Sequence, residues 1–226
     1  MANLIRVPFH PVERYLMASY SFAPRSISIM ITDRCNLRCR MCHYANSESA
    51  EYSLNHAGFM PLTLFKHILD TCPGKPVMSL TGGEPLLHPQ VMEFIQELKR
   101  RGFFCTLTTN GWLLEAKARQ LCESKLDLLV VSIDGDRQTH DEIRSSGSFE
   151  KAVRGIQEIL RYPDHPVVGI STVINDINHE ELENTYLLAE ALGVDVLNFN
   201  HLWIQTEKMV KEQQELSELY QTGQVL

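Results

Sequence analysis

Residues 26–42 read SISIMITDRCNLRCRMC. Ser26 to Ile31 is a run of strand type, rich in β-branched residues. Cys35, Cys39 and Cys42 follow at once in a loop, spaced C-x3-C-x2-C. Downstream, strand-like runs alternate with amphipathic helical patterns. Pro61 to Cys72 predicts a helix, with Pro61 suited to its first turn and Leu62, Phe65, Ile68 and Leu69 on one face. Val77 to Leu80 is the next strand and ends in Thr81-Gly82-Gly83-Glu84-Pro85. Val91, Phe94, Ile95 and Leu98 mark a second helix that Gly102 stops.

The alternation continues to Phe199. Phe103 to Thr108 is a strand closed by Thr109-Asn110-Gly111, and Leu114, Ala118, Leu121 and Cys122 mark a helix face. Asp127 to Ile133 is almost wholly apolar, as expected of a strand covered on both faces. Ser148 is expected to cap a helix carrying Phe149, Ala152, Val153, Ile156 and Ile159 inward. Val167 to Ile174, Glu180 to Leu192 and Val194 to Phe199 predict strand, helix and strand, and a weaker helical pattern runs from Thr206 to Tyr220.

Six β/α units in series require a parallel sheet with right-handed crossovers. The predicted fold is α/β, a partial (β/α)6 TIM-like barrel with parallel strands; a doubly wound open sheet is the alternative. The expected organisation is an N-terminal arm or cap at 1–25, a core at 26–205 and a C-terminal helical segment at 206–226. In either fold the strand-to-helix loops gather at the C-terminal edge of the sheet, where ligands of this class bind. The unusual residues fall there: the cysteines, Gly82 to Pro85, Asn110-Gly111, and Ser132 to Gly135.

The bulk composition narrows the function classes. The 226 residues are 44% hydrophobic and 22% charged, with a net charge of −7, ordinary for a globular protein large enough to fold without disulfides. No Lys/Arg run exceeds Lys99-Arg100-Arg101, which reads as the solvated end of a helix, so no nucleic-acid partner is expected. No apolar stretch of about 18 residues is present and no signal peptide is read, so no membrane partner and a cytoplasmic location are expected. Three of the six cysteines crowd into eight residues, which indicates metal binding in a reducing compartment.

Thiolates are soft ligands suited to iron–sulfur clusters or zinc. No fourth cysteine follows at matching spacing; Cys72, Cys105 and Cys122 are scattered and read as small buried hydrophobes. Three thiolates would leave one iron of a cubane open to an exogenous ligand. Zinc with His43 as fourth ligand is the rival reading, disfavoured because adjacent Cys42 and His43 chelate one tetrahedral ion poorly.

This cysteine spacing after a first strand, in this β/α order, resembles the radical S-adenosylmethionine (radical SAM) superfamily from about Ser26 to Phe199. Met41 departs from the aromatic residue often found before the last cysteine. The resemblance implies a [4Fe–4S] cluster on Cys35, Cys39 and Cys42. It implies S-adenosylmethionine chelating the open iron, and reductive cleavage to a 5′-deoxyadenosyl radical that abstracts hydrogen from substrate. It also implies a flavodoxin- or ferredoxin-type electron donor.

The companions agree. Gly82-Gly83-Glu84-Pro85 resembles the family's GGE motif, where glycines admit a ligand to the backbone and Glu84 would offer an anion to its ammonium. Asn110 would lie near the methionine part. Ser132 and Asp134, alternating onto one sheet face, carry oxygens for ribose hydroxyls or the polar end of the cofactor. Arg144, in a segment (His140 to Phe149) that resembles the peptide-modifying branch, would pair with the methionine carboxylate; the alternative is a surface Arg beside Asp141 and Glu142. No residue is assigned as a hydrogen donor. Tyr44, His43 and Cys105 are each better read as packing or surface.

Three functions remain in view. One is modification of a peptide or protein side chain, as the His140 to Phe149 resemblance suggests. The second is action on a small metabolite such as a sugar, nucleoside or lipid precursor, because no C-terminal cysteine-rich extension follows; either the chain is a fragment or a single cluster suffices. The third is a non-catalytic iron–sulfur or zinc protein.

Overall fold

The computed structural model describes residues 24–42 and 58–202. The predicted arm and the predicted helix after Thr206 lie outside the described residues. The strands are β1 (Ser26–Thr32), β2 (Val77–Gly82), β3 (Cys105–Thr109), β4 (Leu128–Ser132), β5 (Val167–Ile174) and β6 (Val196–His201). The helices are α1 (Leu62–Thr71), α2 (Val91–Arg100), α3 (Leu114–Glu123), α4 (Arg137–Ile143), α5 (Ser148–Leu160) and α6 (Leu182–Leu192).

Strand order decides between the two predicted architectures. Every neighbouring pair is parallel, and the order across the sheet is β1-β2-β3-β4-β5-β6. A doubly wound sheet reverses its order at a switch point. This one never does, so the crossovers all fall on one side and the sheet is a partial barrel, without pairing between β1 and β6 among the described residues.

The two faces differ sharply in chemistry. Toward the helices, Ile29, Ile31, Met78, Leu80, Leu107, Leu129, Val131 and Ile170 are buried against Phe65, Phe94, Leu98, Leu121 and Ile156. Each such side chain contributes about 1.5–3 kcal/mol of burial free energy. Cys105 and Cys122 lie in this core as expected, and Cys72 is half-buried. The inner face mixes hydroxyls and amides with Met30, Leu128, Val130 and Val173. Register puts Ser28 beside Ser79, Ser79 beside Thr106, Ser132 beside Ser171, and Ser171 beside Asn198. No strand residue on either face is Asp, Glu, Lys or Arg.

Two local expectations change. Ser148 is the first residue of α5 rather than its cap; Gly147, in a left-handed conformation, holds that position. The capping is done across a loop by Asp141 of α4, whose carboxylate accepts from the backbone N–H of Gly147 (2.7 Å) and Phe149 (2.8 Å). The α4 helix itself carries no long apolar periodicity and is absent from the sequence prediction. Asp136 caps it by accepting from the Thr139 N–H at 2.9 Å. Lys99-Arg100-Arg101 does end a helix: Arg100 and Arg101 grip Glu97, and Lys99 reaches Asp127.

Candidate active site

The loop after β1 folds back against the turn after β2. Gly82 (φ +139°) and Gly83 make this possible: a Cβ on either would stand 2.1 Å from the Thr32 carbonyl oxygen or 2.3 Å from that of Arg34. Backbone bonds seal the approach, from Gly83 N–H to Thr32 O (2.8 Å) and from Glu84 N–H to Arg34 O (2.7 Å). The cysteine loop is therefore anchored immediately before Cys35.

Cys35, Cys39 and Cys42 line one cavity of about 260 Å³ at the C-terminal edge of the sheet. Gly82, Gly83, Asn110, Ser132 and Arg144 line it too, as do Met41, Thr81, Thr108 and Thr109. The threonines were missed in sequence, although alternation in β2 and β3 puts Thr81 and Thr108 on the inner face.

Glu84 and Asp134 do not line the cavity; both are fully buried behind it. The Glu84 carboxylate accepts from Leu86 N–H (2.9 Å), Thr109 Oγ1 (2.7 Å) and Asn110 N–H (2.7 Å). Burial pushes its pKa up, against those three hydrogen bonds. Asp134 accepts from Val173 N–H (2.8 Å) and from Arg144 Nε (2.6 Å). Arg144 is thus neither at the surface nor beside Asp141: its side chain is 9% exposed and held between Asp134 and the cavity. The imidazole of His140, one turn earlier, accepts from Asp134 N–H at 3.1 Å. Burial first and the Arg144 cation second lower its pKa to about 4, so it is neutral at pH 7.

Burial raises the Cys35 thiol and pushes Cys39 to about 11, with nearby Arg144 working against the shift at Cys39. A metal centre would have to displace these protons, as it does from any thiol ligand. No Asp, Glu or His of the described residues lines the cavity with the thiols. Nor do any three His, Cys, Asp or Glu side chains among the described residues group to chelate a single ion. Three cysteine thiols on one cavity are the soft donor set of an iron–sulfur cluster. His43 lies outside the described residues.

Residues 29–189 match the Radical SAM superfamily. The chain belongs to that family. Radical SAM enzymes use a [4Fe–4S] cluster and S-adenosylmethionine. This radical SAM chain is 37% identical over 182 residues to an AdoMet-dependent heme synthase of Methanosarcina barkeri, covering 78% of this chain and 50% of that one. It is 30% identical over 178 residues to a probable GTP 3′,8-cyclase of Saccharolobus islandicus, covering 78% and 56%. The fold is shared with SuiB of Streptococcus suis bound to S-adenosylmethionine (TM-score 0.69, 18% identity, 94% of this chain and 51% of that one). SuiB has also been solved bound to its precursor peptide SuiA. The chain spans about half the length of the curated relatives it matches. No helix among the described residues is long and apolar enough to cross a membrane.

Proposed function

We propose that this chain is the radical-generating core of an enzyme that holds a [4Fe–4S] cluster on Cys35, Cys39 and Cys42 and binds S-adenosylmethionine in the same cavity. The observation that carries this is the meeting of three thiols with a buried, cavity-facing cation, Arg144, at the C-terminal edge of a parallel barrel sheet. Bound together, cluster and S-adenosylmethionine supply reductive cleavage to a 5′-deoxyadenosyl radical, the group that takes hydrogen from substrate. The protein's own part is orientation and shielding. Arg144, fixed by Asp134, offers its guanidinium to the methionine carboxylate. The Ser132 hydroxyl suits a ribose oxygen, and the turn at Gly82 and Gly83 brings backbone close to the ligand. A flavodoxin- or ferredoxin-type protein would deliver the electron.

For the substrate, a peptide or protein side chain is the reading the barrel interior favours. Among the described residues the inner strand face carries no Asp, Glu, Lys or Arg, and Ser132, Ser171, Asn198 and Asn200 form a hydroxyl and amide row on it, with Asn200 Nδ2 donating to Ser171 Oγ at 2.9 Å. Amide and hydroxyl groups match such a surface, whereas a triphosphate or a carboxylated tetrapyrrole calls for cations. The small-molecule reading rests on identity instead, since the relatives at 30–37% are named for heme and for GTP.

The test is anaerobic reconstitution, then dithionite and S-adenosylmethionine, with 5′-deoxyadenosine measured by mass spectrometry. Product is expected from the native chain and none from Cys39→Ala. A fully loaded cluster that yields none, and whose EPR signal ignores S-adenosylmethionine, would overturn the proposal. Candidate peptides, tetrapyrroles and nucleotides added to the same assay should separate the substrates, with peptides accelerating product formation.

A further inference from the structure

Glu84 poses a question that its place in a ligand-binding motif does not answer. A carboxylate offered to a ligand's ammonium should face the cavity, and this one is fully buried with three donors already upon it. Two of those donors, the Thr109 hydroxyl and the Asn110 N–H, belong to the end of β3. Glu84 therefore clamps the third strand end to the second.

What is clamped is Asn110. Its side-chain oxygen is taken by Trp112 N–H at 2.9 Å, which fixes the amide plane. Its Nδ2 then points at the cysteine loop, 3.0 Å from Asn36 Oδ1 and 3.9 Å from Cys35 Sγ. Cys35 Sγ also accepts from Leu37 N–H at 3.4 Å. One of the three thiols thus has a side-chain N–H donor brought to it from another strand, through a chain of hydrogen bonds that runs from buried Glu84 to half-buried Cys35.

We infer that Asn110 is a hydrogen-bond donor to the Cys35 sulfur that tunes the cluster's reduction potential, and that Glu84 is the positioning residue that holds Asn110 in place. This rests on the cluster reading above. Reduction adds negative charge to the cluster, and an N–H dipole aimed at a ligand sulfur stabilises the more negative state. Removing that donor lowers the potential and makes the cluster harder to reduce. Glu84→Gln replaces one acceptor oxygen with an NH2 group, which cannot accept from both Thr109 and Asn110, so Asn110 loosens and the potential moves the same way.

The experiment is an EPR-monitored redox titration of the reconstituted native chain, Asn110→Ser, Glu84→Gln and the double variant, with iron and sulfide counted in each. Ser keeps an oxygen for the Trp112 N–H but is too short to reach Cys35, so the turn is retained while the donor is lost. The expected result is a native iron content with a more negative potential in Asn110→Ser. Glu84→Gln should give a smaller shift of the same sign, and the double variant no more than Asn110→Ser alone. A loaded Asn110→Ser cluster at the native potential overturns the inference while leaving the cluster reading intact. Equal, additive shifts in the two single variants overturn the role given to Glu84. Failure of the native chain itself to take up iron and sulfide overturns the cluster reading, and this inference with it.

Discussion

The two edges of the sheet solve the placement of charge in opposite ways. At the edge where the strands begin, Glu97 of α2 takes Arg100 and Arg101, Arg101 reaches Asp70, and Lys99 meets Asp127. Glu97 and Arg101 are largely buried, but each also pairs with an exposed partner, Arg100 (67% exposed) and Asp70 (62%), so water reaches this cluster from outside. At the edge where the strands end, Asp134 and Glu84 are fully buried, and Arg144 is nearly so. Exposed pairs can be rearranged at little cost, whereas buried ones must be fully satisfied. Charge is desolvated where the strand-end loops build the cavity, and left in water where they do not.

The contrast can be broken most severely at the cavity. Cys39→Ala removes one of three thiolates and should abolish both iron retention and 5′-deoxyadenosine formation, read by iron analysis and mass spectrometry. Asp134→Ala leaves Arg144 without its carboxylate in a buried site, where breaking such a pair costs about 3–5 kcal/mol. Urea denaturation should show that loss, and S-adenosylmethionine binding by calorimetry should weaken with it.

The edges should also separate by pH. His140 has a folded pKa near 4, well below the usual 6.5, because it is buried neutral. The unfolded chain therefore binds the proton first, and stability falls as pH drops from about 6.5 to about 4. Glu97 is held down to about 2, first by its hydrogen bond from Arg100, so its contribution stands above pH 4.5 and is lost as pH falls from there toward 2. Denaturation midpoints across this range should lose the upper slope in His140→Asn, whose amide oxygen can still accept the Asp134 N–H, and keep the lower one. The smallest effect is expected from Arg100→Ala: its partner Glu97 keeps Arg101, and an exposed pair contributes little, so the midpoint at neutral pH should fall only slightly.

What could be read from the chain alone follows from how local each signal is. The β/α alternation and the cysteine spacing are written in contiguous residues, and the parallel sheet follows from chain order. Asn110 and Ser132 were legible as candidates because they stand at or just beyond strand ends, and Arg144 because its segment, His140 to Phe149, resembles the family's peptide-modifying branch. The α4 helix was missed because its seven residues show no full apolar period, and the α5 cap because its acceptor, Asp141, is six residues before Gly147 and in another helix.

The sequence by itself determined the β/α alternation, the crowding of three thiols after the first strand and the family, since each depends on residue type and spacing. Only the tertiary structure decided that the sheet keeps one strand order throughout, that Arg144 turns inward, and that Glu84 faces protein donors rather than the cavity. Those outcomes depend on which distant groups meet once water is excluded. A carboxylate or guanidinium has the same formula whether it ends in solvent, in a ligand site or against three backbone and hydroxyl donors; the packing around it selects among them.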